Sequence, residues 1–490
     1  MAINLVRNSK VFFTTNIDTS GVIKPSGGAS GAVFSNANTF EVQVLDGFTF
    51  SQSTANEVVT LSEAGTTPSR GQRAFNTSLA PVSFSFSTYI KPALESGVVT
   101  AGESLLWNAL MSDTAVTTPT AISGETTVSL DAAGLVTIAG TAMTPLPTVG
   151  DYIVLSGVAS TTSATGQDKY INSAGKVVTS TTTSITVQLI NHAATAATGV
   201  LTTGGISYSK CAWNPSNTTY SQVTSGLSDR NQLQQFGMLF LVDNVMYAVD
   251  NASLGQVTID FGLDAIATAQ WTGQATALRQ FGIDLTASAG TFGGSGAGVT
   301  NTGSGGYLAA GTAGKYITNK ISTITLKAVK AIGTNITAGK EYLVPITGGS
   351  ITVNNNINYI TPAILGVVNT PVTYYTGTRA ISGTVTAYLR TGSAVESGKL
   401  LSDLLAEATT TTEPMFSLSM NIGGVTATNP RVIVDLPSIS LGIPTIDVQQ
   451  VVSTTINFTA QGYTPNATVA NTAFDLTKAS DIAVRYYGVA

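Results

Sequence analysis

Large and small residues alternate along much of this chain, which is the period of a β-strand. In the clearest segments, every second residue is apolar and its neighbours are small or polar, as expected for strands with one buried face; these segments are 40–44, 84–87, 185–189, 384–388 and 455–458. Helical spacing of leucines is convincing in only two places, 103–111 and 398–407, where Leu105, Leu106 and Leu110, and Leu400, Leu401 and Leu405, are expected on one side of the helix. The pattern predicts a mainly β protein with two short helices.

One pair of landmarks occurs twice. Ile259-Asp260 is followed after ten residues by Trp271-Thr-Gly-Gln, and Ile446-Asp447 is followed after ten residues by Phe458-Thr-Ala-Gln. Because both the spacing and the residue types recur, we interpret the two segments as copies of one structural element.

The repeat continues upstream of these landmarks. Segment 82–91 aligns without a gap with 381–390, and each is followed by a Leu-Leu pair, Leu105-Leu106 in the first copy and Leu400-Leu401 in the second. Three landmarks therefore recur in the same order. A fold used twice in one chain is typical of rings and arrays, whereas a single catalytic cleft does not need it.

The two copies differ in length because the first contains extra residues, 116–207, with turn and strand signals of their own. This segment predicts an inserted small β domain, a barrel or a sandwich. Residues 290–314 include ten glycines and predict a linker. The expected organisation is a first fold from 1–115 and 208–289, the insert at 116–207 on the outer surface, the linker at 290–314, and a second fold at 315–490.

Charged residues are scarce, at 10% of the chain, against about 25% in average soluble proteins. A surface so poor in charge favours contacts with other protein chains, so we expect self-assembly. The net charge is −5 and no basic stripe is visible, which argues against a protein that binds nucleic acid through its phosphates.

No motif in the sequence indicates catalysis or a cofactor. His192 is the only histidine and Cys211 the only cysteine, so metal-ligand spacing is missing and no intrachain disulfide can form. Asp260 and Asp447 fall in different copies of the repeat, where turn or strand-end roles are favoured over a pair of catalytic acids. We predict no catalytic, cofactor-binding or metal-binding residues, and therefore no enzyme.

Targeting signals are also missing. Residues 1–10 contain no apolar stretch followed by a cleavage site, and no run of about 18 apolar residues occurs. We therefore expect a chain that is made in the cytosol and has no contact with a membrane.

Several ordered motifs resemble the major tail-tube protein of long-tailed, siphovirus-type bacteriophages, in the double-length form with two tube folds per chain. The motifs are 5–12, 61–71, 86–90, 271–273, 346–349 and 353–362. They cover both copies of the repeat and leave 116–207 outside.

The resemblance implies two tandem β-sandwich or barrel folds, each with one short helix. It also implies a structural virion protein in which three chains form a pseudo-hexameric ring and stacked rings form the conduit for DNA ejection. The implied partners are other copies of the chain, a tape-measure protein, and tail-terminator and distal-tail or baseplate proteins. Assembly would take place in the host cytoplasm, and genomic DNA would pass through a lumen rich in Asp and Glu without specific binding.

Site residues follow from the same resemblance. The inner strands would flank 46–52 and 347–356. Loops after them would reach the next ring, with Glu63, Pro68, Arg70, Pro371 and Arg379 as candidate stacking residues. The candidate barrel-core or interface residues are Tyr89, Trp271, Tyr388 and Phe458; core packing is the favoured role of Trp271 and Phe458.

Two other classes stay open at this point. A secreted surface-array protein or adhesin would share the scarcity of cysteine and the repeated β folds, although residues 1–10 carry no secretion signal. A polysaccharide-degrading enzyme could work with Asp and Glu alone, but short solenoid repeats or aromatic clefts would be its usual signature.

We expect the purified protein to have negligible affinity for duplex DNA, because it has few clustered cations and a net negative charge. Filter binding at low salt is the strictest measurement, since low salt exaggerates electrostatic attraction. A dissociation constant of about 1 μM or tighter would contradict the picture of a non-binding conduit.

Overall fold

The structure is a computed structural model, and it describes the following residues: 9–23, 38–45, 47–59, 73–95, 98–113, 119–131, 135–159, 174–189, 197–210, 212–214, 221–224, 233–242, 245–263, 265–281, 316–365, 367–392, 396–409, 415–424, 429–448, 451–460 and 481–488.

The first strands and the first helix precede the inserted segment: β1 (Lys10–Thr14), β2 (Thr39–Val42), β3 (Thr49–Ser51), β4 (Thr54–Val59), β5 (Arg73–Leu79), β6 (Val82–Tyr89), β7 (Pro92–Glu95), β8 (Val98–Ala101) and α1 (Ser104–Met111). Seven strands then form a sheet of their own: β9 (Thr120–Ala121), β10 (Ser123–Leu130), β11 (Leu135–Thr144), β12 (Tyr152–Ala159), β13 (Ala174–Ser180), β14 (Ser184–Leu189) and β15 (Ala197–Ser209).

The chain next returns to the first fold, which is completed by β16 (Trp213–Asn214), β17 (Ser221–Thr224), β18 (Phe236–Val242), β19 (Val245–Gly262), β20 (Thr268–Ala275) and β21 (Ala277–Phe281). The second fold begins with a short 3-10 helix (Asn319–Ile321) and continues with β22 (Thr323–Ala328), β23 (Glu341–Val344), β24 (Ile346–Asn354), β25 (Ile357–Ile360), β26 (Thr373–Thr376), β27 (Ala380–Tyr388), α2 (Ser397–Ala406), β28 (Phe416–Ile422), β29 (Arg431–Leu441), β30 (Thr445–Asp447), β31 (Ser453–Ala460) and β32 (Ala483–Tyr487).

Two sets of strands share one pairing scheme. In the first, β1 pairs with β2 and β18, β18 with β19, β19 with β20 and β21, β20 with β6, and β6 with β3. In the second, β22 pairs with β23 and β28, β28 with β29, β29 with β31 and β32, β31 with β27, and β27 with β24. Each strand of the first set therefore has a counterpart in the second.

Both sets contribute to one hydrophobic core. The strands alternate buried and exposed residues, and the buried side chains of the two sets form a single cluster. Helix α1 is buried along its whole length, and the indole of Trp107 packs edge-on against that of Trp271 at 5.2 Å between ring centroids. Helix α1 thus covers the core face of the sheet that contains β20.

Helix α2 occupies the corresponding place in the second fold, with Leu400, Leu401 and Leu404 buried. Its buried polar residue is Asp403, whose carboxylate accepts hydrogen bonds from Lys340 (2.6 Å) and from the Tyr342 hydroxyl (2.7 Å). Although burial opposes ionisation, these bonds and one from Lys399 lower the pKa of Asp403. The helix is therefore anchored by a paired charge as well as by apolar packing.

The seven-stranded sheet of the inserted segment has its own core. Its pairings run from β10 through β11, β14, β13 and β12 to β15, and β15 pairs again with β10. Val154 reaches from this sheet into the main core, and Lys210 forms an ion pair with Asp151 at 2.6 Å near the return to the first fold.

The prediction of a mainly β chain is confirmed. All five alternating segments overlap strands β2, β6, β14, β27 and β31, and the two predicted helices appear within one residue of the expected starts and ends. One detail was wrong: Leu405, expected on the buried side of α2, is exposed, because Asp403 and Leu404 occupy that side of the helix. The predicted glycine linker at 290–314 lies outside the described residues.

Candidate self-assembly interface

The two folds are joined edge to edge by one antiparallel pair of strands, β19 and β24. Seven residues on each side are in register, from Gln256 opposite Asn354 to Gly262 opposite Gly348. We call this pairing the seam. Because of the seam, β3, β6, β20, β19, β24, β27 and β31 form one continuous sheet across both folds.

Glycine allows the seam to close near its end. Gly349 lies opposite Phe261, and a Cβ atom added there would lie 2.7 Å from the phenyl ring of Phe261 and 2.2 Å from the backbone oxygen of Thr384. A larger residue at this position would push β24 away from both neighbours. The Gly-Gly pair of the 346–349 motif thus has a packing reason.

Polar contacts reinforce the seam at its other end. The amide of Asn355 donates a hydrogen bond of 2.8 Å to the backbone oxygen of Leu110, at the C-terminal end of α1. Arg379 donates to the amide oxygen of Asn355 at 3.1 Å and lies 3.4 Å from Asp481. Residues of the second fold thus satisfy a helix end of the first.

A hairpin of the second fold, β25 with β26, also lies on the first fold. The Tyr359 hydroxyl contacts the backbone oxygens of Asn251 (2.8 Å) and Gln274 (3.0 Å). The Tyr374 hydroxyl donates to the backbone oxygen of Leu233 at 2.6 Å. Burial raises the pKa of both tyrosines above the ordinary phenol value, so both remain neutral hydrogen-bonding groups.

The C-terminal strand β32 is shared by the two folds. One edge pairs with β29 of the second fold and the other with β17 of the first. Its Tyr486 is fully buried, accepts a hydrogen bond from the Trp107 indole at 2.6 Å, and packs against Trp213 at 5.4 Å between ring centroids. The strand therefore holds the folds together on the side away from the seam.

A buried acid lies beside this strand. Glu103, at the start of α1, is completely enclosed near Tyr486 and Lys91, and burial raises the pKa of its carboxyl to about 7. Lys91 contacts Gln43 and lies over the ring of Tyr316, and burial lowers its pKa although Glu103 opposes that effect. The junction thus contains a group that titrates near neutral pH.

The sheet ends in two edges that have no further strand partner among the described residues. One is β3 in the first fold, the counterpart of β24, and the other runs from the end of β29 into β30, the counterpart of β19. At the seam, Ile259 is 1% exposed and lies opposite Ile351. At the free edge, Leu441 lies opposite Phe458 as Val257 lies opposite Trp271, so Ile443, two residues after Leu441, takes the place of Ile259 and is 53% exposed. The apolar residue at this position is therefore buried at the seam, where another fold is paired, and exposed at the free edge. The predicted match of Asp447 with Asp260 is out of register, because Asp447 lies opposite Ser453 whereas Asp260 lies opposite Thr268, the counterpart of Thr455.

The face of the continuous sheet that points away from the core is neutral and polar. One row of residues, which lie opposite one another on six successive strands, carries only hydroxyl and amide side chains: Ser87, Gln270, Thr258, Thr352, Ser382 and Thr459. The acidic groups on this face, among the described residues, are Asp260 and Asp447, and partial burial raises the pKa of Asp260.

The described residues therefore do not support a face rich in Asp and Glu, which the chain's charge suggested. Three acids, Asp250, Asp403 and Asp435, are instead buried or partly buried in the folds and paired with cations. Asp250 bonds Arg279 at 2.5 Å, and Asp435 bonds Arg485 in the corresponding position of the second fold. Asp403 is likewise enclosed.

These two ion pairs form a fourth repeated landmark, which the sequence reasoning missed. Asp250 and Asp435 lie opposite the first residues of β21 and β32, and each of those strands reads Ala-x-Arg-x-aromatic, at 277–281 and 483–487. The signal was present in the sequence. It was hidden because β21 follows β20 directly, whereas β32 is separated from β31 by residues 461–480.

The predicted core and interface residues form two groups, one buried and one at least partly exposed. Trp271 and Phe458 are buried in equivalent strands, and the Trp271 indole donates to the Thr88 hydroxyl at 2.9 Å. Tyr89 is partly exposed and packs edge-on against Tyr316. Tyr388 is 45% exposed on the polar face, so it is not a core residue.

The predicted stacking residues do not lie together at a loop tip. Pro371 is buried, and Arg379 is enclosed by its contacts with Asn355 and Asp481. The exposed part of this loop is instead 364–368, where Leu365 is fully exposed. Glu63, Pro68 and Arg70 lie outside the described residues, as do His192 and Cys211.

Within the described residues, no group of three or more potential metal ligands is present. The helices that the structure describes include none that is long and apolar enough to cross a membrane.

Comparison with known proteins gives one informative relative. The chain is 24% identical over 473 residues to the tail tube protein pb6 of Escherichia phage T5, and the aligned part covers 94% of this chain and 73% of that protein. No protein-family profile matches the chain. The similarity extends over both folds and confirms the resemblance to tail-tube proteins that the motifs predicted.

The buried Glu103 predicts a pH-dependent stability. Its pKa is about 7 when folded and 4.5 in its ordinary state, so between these values the folded chain retains a proton that the unfolded chain has released. Stability should therefore fall as pH rises from about 4.5 to about 7, by up to about 3 kcal/mol, and level off above that range.

Glu103→Gln should remove this slope, and Glu57→Gln, on an exposed strand, should leave it unchanged. Thermal or urea unfolding of the unassembled chain between pH 4.5 and 8 measures the effect. An unaltered slope in Glu103→Gln would show that another group is responsible.

Proposed function

We propose that this protein is a structural subunit of a phage tail tube, in which three chains close a ring of six folds and stacked rings enclose the path of the DNA. The seam between β19 and β24 carries this proposal. The similarity to tail tube protein pb6 supports the tail-tube role. The role is structural and not enzymatic.

The seam defines which edges of two folds pair with each other. It places the β24 edge of one fold against the β19 edge of another, and each chain ends in a free β3 edge and a free edge at 441–447, the counterparts of those two edges. The same contact between chains is head-to-tail, so it repeats until a ring closes. Two folds per chain and six folds per ring require three chains.

Exposed apolar groups agree with this rule. If the register of the seam is repeated between chains, Ile443 lies opposite Phe50 of the neighbour, as Ile259 lies opposite Ile351 within the chain. Pairing these edges buries an exposed isoleucine and satisfies backbone groups that an open sheet leaves to water.

The polar face of the sheet is the proposed lumen wall. It presents Ser, Thr, Asn and Gln without a lysine or arginine on strands β6, β20, β19, β24, β27 and β31. Such a wall offers phosphates no cation, so DNA is not held. Asp260 and Asp447 add negative charge at the end of the sheet where their hairpins turn.

The rings stack through loops at the two ends of the same sheet. At one end, 364–368 exposes four large apolar residues, Ile364, Leu365, Val367 and Val368. At the other end, the hairpin turns expose Leu263, Ile266, Val448 and Val451. Contact between these two surfaces would remove both from water.

The inserted domain projects from the outer wall of the tube. It begins just after α1, which covers the core face of the sheet, and it is therefore on the opposite side of the core from the polar face. As in other tail tubes, the partners are a tape-measure protein in the lumen and terminator and distal-tail proteins at the ends. The mature location is the virion tail.

Averaged electron micrographs of assembled rings should have three-fold symmetry with only approximate six-fold character, because the two folds differ at positions such as Trp271 and Phe458. Each ring should carry three outer protrusions, one for each inserted domain. Six equivalent chains per ring, or flat lattices in place of tubes, would contradict the proposal.

Ile443→Asp should prevent ring formation without unfolding the chain, because Ile443 is exposed in the single chain and buried only in the ring. Sedimentation and electron microscopy measure assembly, and circular dichroism checks the fold. Val178→Asp, an equally exposed position of the inserted domain, is the matched control and should assemble normally. Normal rings from Ile443→Asp would exclude this edge from the interface.

A further inference from the structure

A second contact surface between neighbouring chains is suggested by the two hairpins of the folds, β4 with β5 in the first and β25 with β26 in the second. Each hairpin follows the edge strand of its own fold, β3 or β24, and leads into the next strand, β6 or β27. The hairpins are thus equivalent elements of the two folds.

The sequence alignment of the two folds also identifies which single residues of the two hairpins are equivalent. The gapless alignment of 82–91 with 381–390, extended back seven positions, matches Phe75 with Tyr374. Phe50 and Ile351 lie opposite the matched residues Phe84 and Gly383. Strand pairing fixes the partner of each residue: Phe75 lies opposite Glu57, as Tyr374 lies opposite Tyr359, so Glu57 occupies the place of Tyr359.

The matched residues have opposite environments. Tyr374 is 2% exposed, and Tyr359 is packed against it and against the first fold, at 5.3 Å between ring centroids. In the first fold, Phe75 is 58% exposed and Glu57 is exposed as well. The second hairpin therefore packs against the first fold of the same chain, whereas Phe75 of the first hairpin is left exposed in the single chain.

We propose that the hairpin of β4 and β5 is a clasp that holds the second fold of a neighbouring copy of this chain, with Phe75 as its contact residue. The inference rests on the proposed ring. The contact partner of the hairpin follows from the seam. When β3 pairs with the free edge of the next chain, the hairpin that follows β3 is placed on the second fold of that chain.

The receiving surface can be located by the same register. Tyr359 contacts the backbone at Asn251 and Gln274 in the first fold. The counterparts of β19 and β20 are β29 and β31, so the receiving surface lies at these two strands of the neighbour's second fold.

The hairpins also touch each other within the chain. The Leu79 backbone amide donates to the backbone oxygen of Asn369 at 2.8 Å, and the Asn369 amide donates to Thr77 at 3.1 Å. If this contact is repeated between chains, six hairpins form a collar around the end of the ring. The collar is separate from the closed sheet and locks each seam from a second side.

Photo-crosslinking tests the clasp directly. Phe75 is replaced by the photoreactive analogue benzoylphenylalanine, and assembled rings are irradiated. The expected product migrates as two joined chains, and mass spectrometry places the bond on β29 or β31 of the second chain. The same analogue at Tyr375, which is exposed on the other face of the second hairpin, should not give that product.

A charge variant supplies the second measurement. Phe75→Asp should reduce the assembled fraction by about tenfold or more, because the contact would bury a carboxylate, while the single chain keeps its fold. Asn76→Asp, on the other face of the same strand, should assemble as the unmodified chain does.

Each outcome decides one point. A bond from position 75 to a first fold, a bond within one chain, or no bond in assembled rings would overturn the clasp. Normal rings from Phe75→Asp would also overturn it and would leave the proposed ring intact. If the unmodified chain forms no rings, the proposed function fails and the clasp fails with it.

Discussion

The arrangement of this molecule depends on one antiparallel strand pair, β19 with β24. It converts two separate folds into a single sheet, and every other contact between the folds is positioned by it. Asn355 can reach the end of α1 only because β24 ends beside it, and Tyr359 and Tyr374 are carried onto the first fold by the hairpin that follows β24. Backbone pairing sets the geometry, and side chains then make it specific.

Fusing two folds changes the energetics of a ring. In the proposed ring, half of the seams are formed within chains, where the two edges are held at high effective concentration. Closing that ring would require three bodies to lose translational and rotational freedom, not six. The same fusion would let the two kinds of seam diverge in sequence. Within the chain the hairpin contact uses Tyr359 and Tyr374, whereas Phe75, the counterpart of Tyr374, has no hydroxyl group.

Much of the fold could be predicted from the sequence, because alternation and repetition are local signals. Trp271 and Phe458 were recognised as equivalent from spacing alone, and both are buried in matching strands. Properties that depend on contacts with residues distant in the sequence could not be predicted from these local signals. Nothing local distinguishes Arg379, which is enclosed by Asn355 and Asp481, from an arginine at a loop tip, and net charge does not reveal that Asp250, Asp403 and Asp435 are paired with cations. The candidate interface was correspondingly less predictable than the strands.

The shared strand β32 has a consequence for the time course of folding. Its residues pair with β17, and nearly the whole second fold lies between these two strands in the sequence. Contacts at such separation raise the contact order and slow the search for the native pairing. During synthesis, Trp107 and Trp213 of the first fold are made long before Tyr486, which completes their packing, leaves the ribosome. The first fold therefore stays incomplete until translation reaches the last strand, and unfinished chains lack the geometry to join a ring.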